Sequence, residues 1–530
     1  MSQHPRRRDL LFLFGIALLT RFLVAVLIPR PGYMDAAYYA GGALRLAQGE
    51  GFSEPFLWHY LDDPAGLPRP GFLYWMPLPA LWAAPGALLF PNSFLALQLP
   101  FVLTSALLPL MAYSVAWEVI GQRRAAWWTG LLTLFSGFFF PFWTLPETFA
   151  PFALFGGGAL WLAGRGDRED GVSRYVLTGA LVGLAHLTRA DGVVLLPVVA
   201  LAPLLRSRAW SAAERLRFVV GCWALLVGGY LVVMTPWFVR NGLVAGQPLP
   251  SAGAQTLWLR DYDDLFCYGC DLSFRSYLAW GWEDILRSKL YALWTNFQHL
   301  VAEGGQIFLF PLIVVGLYQL RRQLDVTLSL IYLVLLYGIH SLAFTFPGWR
   351  GSFFHSSSAL LPFLNVAAWA GLDTAVRWLA RRRSGWRARQ AQAVFAVAAL
   401  MGAVTLSLYV SVGKLPAWQE ADAVYGEIGA WLVAPDEVDG GPVVMVGNPP
   451  GFYYHARMLS VVLPSGDVAT LLAAADRYGV SYVVLDQNRP AGLAQMYTSA
   501  EAVGLDLVAT FDAGRVQLYR RVGVSQSGEE

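Results

Sequence analysis

The chain opens with a hydrophobic stretch long enough to cross a lipid bilayer. Residues 10–28 are almost wholly apolar, and about 20 apolar residues suffice for a membrane-spanning helix. Arg6, Arg7 and Arg8 directly precede the stretch, and positive charge beside a span favours the cytoplasmic side. The stretch has no small-residue cleavage site, so we interpret it as a retained first helix with a cytoplasmic N-terminus rather than a signal peptide.

The composition extends this interpretation to the whole chain. Of its 530 residues, 56% are hydrophobic and only 14% are charged, which is typical of a polytopic membrane protein. The net charge of +2 is too small to indicate a nucleic-acid partner. Arginine-rich and arginine-poor loops alternate in a way that satisfies the positive-inside rule with about eleven transmembrane helices. The predicted spans are 10–28, 94–118, 127–144, 148–163, 175–188, 192–205, 218–238, 306–320, 326–344, 356–379 and 391–411.

The first outer loop, over residues 29–92, ends in a segment that does not fit this alternation. Residues 71–90 are apolar but contain Pro77, Pro79 and Pro85. If this segment crossed the bilayer, the next arginine-rich loop would lie outside. We therefore predict an interfacial or re-entrant segment.

The character of the chain changes after the predicted membrane core, which spans 1–411. Short buried-type strands at 443–446 and 482–485 alternate with helical patterns. This pattern predicts a small α/β domain over 412–522, followed by a disordered tail over 523–530. An odd number of crossings places the domain outside the cytoplasm.

Two of the three cysteines form a Cys-x-x-Cys pair in a predicted outer loop. Cys267 and Cys270 favour a structural disulfide over redox chemistry in that location, and the spacing does not supply the further ligands of a zinc site. Cys222 lies within a predicted helix, where packing is the simpler interpretation.

Two carboxylates stand at the predicted outer face. Asp35 follows the first span within a few residues, and it is either a general base screened from water or a solvated loop residue. Glu147 lies in a short outer turn, where it is either a second catalytic acid or a partner for a helix N-terminus.

Cationic side chains lie at the same predicted face. Arg189 could bind a phosphate or pair with Asp191, and Arg240 could bind a phosphate or extend to the interface. Arg350 and His355 follow in a later outer loop. Carboxylates and arginines at one face suit group transfer from a membrane-borne phosphate donor. No glycine-rich phosphate loop occurs, which disfavours nucleotide hydrolysis.

These elements occur as an ordered set of motifs. They are MDAAYY at 34–39, PETF at 146–149, GLAHLTRADG at 183–192, PWFVRN at 236–241 and the stretch 350–362. In order, spacing and side of the membrane, the set resembles the GT-C glycosyltransferases over about 1–411, specifically their protein-mannosyltransferase and aminoarabinose-transferase-like branch.

The resemblance implies a polyprenyl-phosphate-linked sugar donor and inversion at the anomeric carbon. It implies that Asp35 is the catalytic base and that Glu147 occupies the second acidic position, with the 29–92 loop on the acceptor side. The residues expected to bind the donor phosphate or the substrates are Tyr38, His59, Arg69, Arg189, Arg240, Arg350 and His355. No metal is assigned, because the tandem Asp-x-Asp of metal-dependent relatives is missing at Asp35. A similar pattern occurs at Asp261–Asp264, but it lies in a later loop.

We therefore expect a hexosyl- or pentosyltransferase in the plasma membrane, surrounded by membrane lipid. Its acceptor is left open among a protein, a glycolipid and a cell-wall glycan. The main alternative is a transporter or lipid flippase with an external accessory domain. Transporters show inverted repeats and polar groups at the midplane, whereas this chain has no repeat and its ionisable residues gather at one face. A third alternative is a family member that has lost activity.

Overall fold

The structure is a computed structural model. It describes residues 4–165, 173–250, 252–383, 385, 387–421, 423–433, 441–486, 490–497 and 504–522. The predicted disordered tail over 523–530 lies outside these residues.

Helices make up most of the described chain. Those of the first half are α1 (His4–Val26), α2 (Met34–Ala47), α3 (Leu78–Leu89), α4 (Phe94–Ile120), α5 (Arg123–Leu134), α6 (Phe149–Gly164), α7 (Arg174–Thr188), α8 (Leu195–Arg206) and α9 (Ala212–Ala245). Those of the second half are α10 (Ala252–Gln255), α11 (Phe274–Ala279), α12 (Trp282–His299), α13 (Phe310–Leu320), α14 (Leu324–Gly338), α15 (Thr345–Pro347), α16 (Phe353–Ser357), α17 (Leu361–Arg382), α18 (Ala388–Ala421), α19 (Ala423–Val433), α20 (Pro449–Ala456) and α21 (Val468–Tyr478).

Six helical stretches among the described residues are long and apolar enough to cross a membrane. They are Arg6–Val26, Phe94–Ile120, Ala212–Ala245, Leu324–Ala343, Thr345–Arg382 and Ala388–Leu432. The expected number of eleven spans is not confirmed. Several predicted spans form shorter helices: the one at 127–144 breaks where α5 ends and a 3-10 turn (Gly137–Phe142) begins. α8 has 12 residues and α13 has 11.

The predicted non-crossing segment forms a short helix. α3 has 12 residues with Pro85 inside, and at 1.5 Å per residue it is about 18 Å long, less than the roughly 30 Å of bilayer hydrocarbon. Its Gly86 lies against the backbone of Ala96 in α4. α8 and α13 are similarly short, so the interfacial or re-entrant placement of this segment stays a prediction.

Glycines let neighbouring helices approach closely. A Cβ on Gly316 of α13 would lie 1.7 Å from the carbonyl oxygen of Ala367 in α17, and one on Gly371 of α17 would lie 1.9 Å from that of Leu312. Small residues are the usual means by which apolar helices bring their backbones into contact in a membrane. The close packing of α13 against α17 therefore requires glycine, which has no side chain, at positions 316 and 371.

We expect Gly316→Ala to destabilise the protein by about 1–3 kcal/mol, because a methyl group forced against a backbone carbonyl overpacks the interface. Thermal unfolding of the detergent-purified protein measures the effect. Gly228→Ala in α9 is the control, since a Cβ there meets no atom within 4 Å. Equal melting temperatures for the two variants would contradict the role of Gly316.

A six-stranded sheet forms the core of the C-terminal region. The strands of the chain are β1 (Ser53–Glu54), β2 (Phe56–Leu57), β3 (Arg69–Pro70), β4 (Val443–Val446), β5 (Ser460–Val462), β6 (Val480–Leu485), β7 (Leu505–Phe511) and β8 (Val516–Arg521). The sheet has the order β2-β5-β4-β6-β8-β7, and β1 pairs separately with β3. β2, β5, β4 and β6 run parallel, whereas β8 runs antiparallel to β6 and β7.

The edge strand β2 comes from the first loop of the membrane core, not from the C-terminal region. Phe56 pairs with Ser460, and the Tyr60 hydroxyl donates to the carbonyl of Val462 at 2.6 Å. These contacts join the first loop to the sheet and place the sheet at the same end of the helix bundle as α2.

The cysteines have two different environments. Cys267 and Cys270 are joined by a disulfide, whereas Cys222 is buried within α9.

Candidate active site

Three side chains from distant parts of the sequence meet at one end of the bundle. Asp35 lies in the first turn of α2, Glu147 lies in the turn before α6, and His355 belongs to α16. His355 Nε2 is 3.9 Å from Asp35 Oδ2, and His355 Nδ1 is 3.1 Å from Glu147 Oε1. The imidazole thus lies between the two carboxylates.

Glu147 is held by the start of α6. Its side chain is 1% exposed. Oε2 accepts from the Phe149 amide at 3.1 Å, and Oε1 accepts from the Thr148 hydroxyl at 3.0 Å. Burial alone would raise the pKa of this carboxyl, but His355, the charge of Arg189 and the amide of Phe149 outweigh it and hold the pKa below its ordinary value. Glu147 is therefore a helix N-terminus partner and a member of the cluster at once.

The pKa of Asp35 is shifted in the opposite direction from that of Glu147. Burial, and next the negative charge of Glu147, raise its pKa to about 6, while His355 and Arg189 act in the other direction. Its side chain remains 30% exposed and lines a cavity. Two neighbouring carboxyls with pKa values moved apart are the arrangement expected for distinct acid–base roles.

A second layer of polar contacts supports the cluster. Arg189 Nε donates to Asp191 Oδ1 at 3.1 Å and to the Ser356 hydroxyl at 2.9 Å. Asp191 also contacts His340 Nε2 at 3.0 Å. The pairing of Arg189 with Asp191, one of the two sequence alternatives, is thus present. The charge of Arg189 still favours the ionised forms of Asp35 and Glu147.

The cavity lies between the helix bundle and the C-terminal sheet region, and its volume is about 700 Å³. Its lining includes Asp35, Tyr262, Asp263 and Arg350 from the bundle side and Asn448 and Asp486 from the C-terminal region. The guanidinium of Arg350 lies 5.0 Å from the ring centre of Tyr262. Among the described residues, no carboxylate lies within ion-pair distance of Arg350. Its charge acts on the nearby carboxyl of Asp263, but without an ion pair it can still bind an anionic ligand in the cavity that Asp35 also lines.

Three other predicted site residues form a separate network in the first loop. Arg69 pairs with Glu54 at 2.9 Å and with Asp62 at 2.7 Å, and the hydroxyl of Tyr38 donates to Glu54. His59 is buried beside Arg69, and its pKa is lowered to about 3 by burial and by that charge. The structure does not bring these residues into contact with the Asp35 cluster, and Arg69 already has two carboxylate partners.

Arg240 also contacts the first loop. Its Nη2 donates to the carbonyl of Phe52 at 2.9 Å, and its guanidinium lies 4.8 Å from the ring centre of Trp237. These contacts fix the loop to the end of α9. They do not place Arg240 in the cavity that contains Asp35.

Sequence reasoning missed several residues of the site. Tyr33 and Tyr39 flank Asp35, and burial, with the negative charge of Glu147 next, raises the pKa of each well above its ordinary value. Their positions beside Asp35 were a usable signal. His340 carried no such signal, because only the packing of the helical turn that follows α14 brings it to Asp191.

The cluster could also hold a divalent cation. One ligand atom each from Asp35, Glu147 and His355 lies within 4.8 Å of the others, and two carboxylates with an imidazole are an ordinary donor set for such ions. However, both carboxylate oxygens of Glu147 already have protein partners.

The fold is that of the GT-C glycosyltransferases: a multi-pass helical membrane core that carries a small C-terminal sheet region. ArnT from Cupriavidus metallidurans, solved with undecaprenyl phosphate, matches with a TM-score of 0.59 and 15% identity over 97% of this chain and 98% of that chain. The archaeal oligosaccharyltransferase AglB from Archaeoglobus fulgidus, solved with an inhibitory peptide and a dolichol-phosphate, matches with a TM-score of 0.57 and 14% identity over 90% of this chain and 69% of that chain.

The likeness is one of fold rather than of sequence. No family model matches the chain, and no curated protein matches its sequence. The activity is therefore argued from the site itself.

Proposed function

We propose that this protein is an integral-membrane inverting glycosyltransferase. It moves a hexosyl or pentosyl group from a polyprenyl-phosphate donor to a hydroxyl of a protein, glycolipid or cell-wall glycan at the outer face of the plasma membrane. The observation that carries this proposal is the carboxyl of Asp35, which has a raised pKa and lines the same cavity as Arg350, a cation with no carboxylate at ion-pair distance among the described residues. Both related structures were solved with a polyprenyl phosphate, which supports the choice of donor.

The reaction assigns one role to each group. The acceptor oxygen attacks the anomeric carbon of the donor, and Asp35 takes the proton of that hydroxyl. The bond from the anomeric carbon to the phosphate oxygen breaks, and its electron pair leaves with the polyprenyl phosphate. Arg350 stabilises the negative charge that develops on this phosphate. Attack opposite to the leaving group inverts the anomeric centre.

Glu147 and His355 act on Asp35 rather than on the substrates. The charge of Glu147 raises the pKa of Asp35, and that of His355 lowers it. The result is a base with a pKa of about 6, and a base whose pKa lies close to neutral pH is favourable for proton transfer at that pH. Arg189, held by Asp191 and Ser356, keeps the cluster from accumulating negative charge.

The membrane orientation forms part of the proposal. We place the N-terminus in the cytoplasm and the Asp35 cluster, the cavity and the C-terminal domain of residues 412–522 outside. The arginine-rich helix ends support this orientation. Cysteine accessibility labelling of intact cells, at a cysteine introduced for Glu283 on the exposed surface of α12, tests it.

The direct test of the proposal is transfer by the purified protein. Radiolabelled polyprenyl-phosphate hexoses and pentoses are incubated with a membrane extract as the acceptor source. Label should move into an acceptor from at least one donor. Movement of an intact lipid across proteoliposome membranes, without transfer from any donor, would instead support a flippase.

We expect transfer to increase as the pH rises through about 6, because Asp35 accepts a proton only in its ionised form and its pKa lies near 6. Glu147→Gln removes the negative charge that raises this pKa, so the midpoint of the profile should move to lower pH. Glu283→Gln is the control, because Glu283 is exposed on α12. A midpoint that stays unchanged in Glu147→Gln would contradict the coupling.

We also expect transfer to survive treatment with EDTA followed by gel filtration. The reason is that the positive charge of Arg189 already offsets the negative charges of Asp35 and Glu147, so the pair does not need a cation to neutralise it. Rates before and after treatment, with and without added Mg²⁺ or Mn²⁺, provide the measurement. Loss of activity that either ion restores would show that Asp35, Glu147 and His355 hold a metal, and the base mechanism would need revision.

A further inference from the structure

A second large cavity lies at the opposite end of the helix bundle. Its volume is about 920 Å³. Glu147 lies two residues before α6 and Arg165 directly follows it, and the 16 residues of this helix separate the two ends by about 24 Å. The active-site cavity borders the first end and the second cavity borders the other, so they face opposite sides of the bundle.

Arginines dominate the lining of this second cavity. Its charged residues are Arg165, Arg174, Arg206, Arg208, Arg321, Arg322, Glu118 and Asp325. Among the described residues, six positive and two negative groups therefore share one concave site. Such an excess of one sign focuses the field and attracts an anion.

Three of these arginines bind the end of α6 or pair with a carboxylate. Arg174 donates to the carbonyl of Arg165 and Arg206 to that of Ala163, both at 2.9 Å, so they bind the end of α6. Arg165 lies 3.4 Å from Glu118. These side chains shape the wall of the cavity.

The other three arginines are Arg208, Arg321 and Arg322, which are exposed and come from two separate connections between helices. Within the described ranges, none of them has a carboxylate at ion-pair distance. Arg321 stacks on the ring of Tyr318 at 4.0 Å and donates from Nη1 to the carbonyl of Tyr318, which orients its guanidinium and leaves its other N–H groups for a ligand. Three guanidinium groups around one cavity match the oxygens of a phosphate.

The surroundings of the cavity are those of a membrane interface. Trp210 and Phe218 line it, and their ring centres are 4.9 Å apart. Leu216 and Val220 on the same helix as Phe218 are exposed. Tryptophan beside exposed aliphatic side chains is typical of the level of lipid headgroups.

From this arrangement we propose that the arginine-lined cavity is a binding site for a phosphate group, supplied by the headgroup of an anionic phospholipid at the arginine-rich face. A soluble phosphate compound has the same chemistry and is the other source to test. The proposal is independent of the transfer reaction, since the cavity lies at the other end of the bundle.

The test compares two variants with equal loss of charge. Arg208, Arg321 and Arg322 are replaced together by Gln in the first, and Arg381, Arg382 and Arg383 are replaced by Gln in the second. The second set is exposed at the end of α17 and is not part of the cavity lining. Each delipidated full-length protein is titrated with phosphatidylglycerol or phosphatidylcholine in detergent, and bound lipid is counted by native mass spectrometry. Sodium pyrophosphate serves as the soluble competitor.

We expect the wild type and the α17 variant to retain phosphatidylglycerol in preference to phosphatidylcholine, and the cavity variant to bind it at least about 10-fold more weakly, because charge-assisted hydrogen bonds are lost. Displacement by pyrophosphate without selective lipid retention would identify a soluble phosphate as the ligand and overturn the lipid source. Equal binding by all three proteins, or equal loss in both variants, would overturn the site.

A third variant distinguishes a folding defect from a specific loss of lipid binding. Arg208→Lys, Arg321→Lys and Arg322→Lys together preserve the positive charge that orients the helices but remove the planar guanidinium groups. Its elution volume and melting temperature should equal those of the wild type, with affinity for phosphatidylglycerol between those of the wild type and the Gln variant. Wild-type affinity in this Lys variant would overturn recognition by guanidinium geometry.

Discussion

Asp35→Asn is expected to lower kcat for sugar transfer by about 10²- to 10⁴-fold, the usual contribution of a positioned general base. Asparagine has nearly the same size and can still contact His355, but it cannot accept the proton of the attacking hydroxyl. Because burial and Glu147 disfavour the charged form of Asp35, its removal should not lower the melting temperature. Donor binding should remain close to that of the wild type, so the loss should appear in kcat.

The measurement uses the donor that the wild type accepts, with initial rates and equilibrium binding of the donor determined separately. Asp271→Asn is the matched control, since Asp271 is exposed and its carboxylate accepts only from Ser273 at 3.0 Å among the described residues. Undiminished transfer in Asp35→Asn would reject Asp35 as the base and direct attention to Glu147.

Arg350→Ala is expected to lower kcat/KM for the donor by about 10²-fold, because a charge-assisted hydrogen bond to the leaving phosphate is lost. The guanidinium lines the cavity that contains Asp35 and lies over the ring of Tyr262. Arg350→Lys preserves the charge without the bidentate geometry, so it should recover only part of the activity.

Steady-state kinetics with varied donor concentration separate two roles for Arg350. A rise in KM with kcat unchanged would mean that it binds the ground state alone, whereas a fall in kcat would mean that it stabilises the departing phosphate. The control is Arg275→Ala, at an exposed arginine of α11. Unchanged kcat and KM in Arg350→Ala would remove Arg350 from the site.

Arg350 and Arg69 differ in a property that the sequence does not reveal, which is whether the guanidinium is already paired. Both were predicted to bind the donor phosphate, because both are arginines in outer segments. In the structure Arg69 lies between Glu54 and Asp62, whereas Arg350 borders the cavity. Whether a charge is already neutralised depends on its neighbours in space, and the residue type does not reveal them.

The number of membrane spans could not be predicted from the sequence for a similar reason. Hydropathy identifies apolar segments, but it does not report where a helix ends. The segment at 127–144 is apolar throughout most of its length, yet α5 stops at Leu134 and a 3-10 turn follows. Short helices packed against longer ones bury their ends in protein, which hydropathy cannot distinguish from a full crossing.

The sequence by itself determined that this is a polytopic membrane protein with a C-terminal α/β region, because apolar runs and strand patterns are local properties of the chain. It also predicted Asp35 and Glu147 as the acidic residues of the site, but it assigned Asp35 to a loop, whereas the structure places it in the first turn of α2. Only the tertiary structure decided that His355 lies between them and that β2 of the first loop completes the C-terminal sheet. These contacts join residues hundreds of positions apart, and packing of the whole bundle is what brings them together.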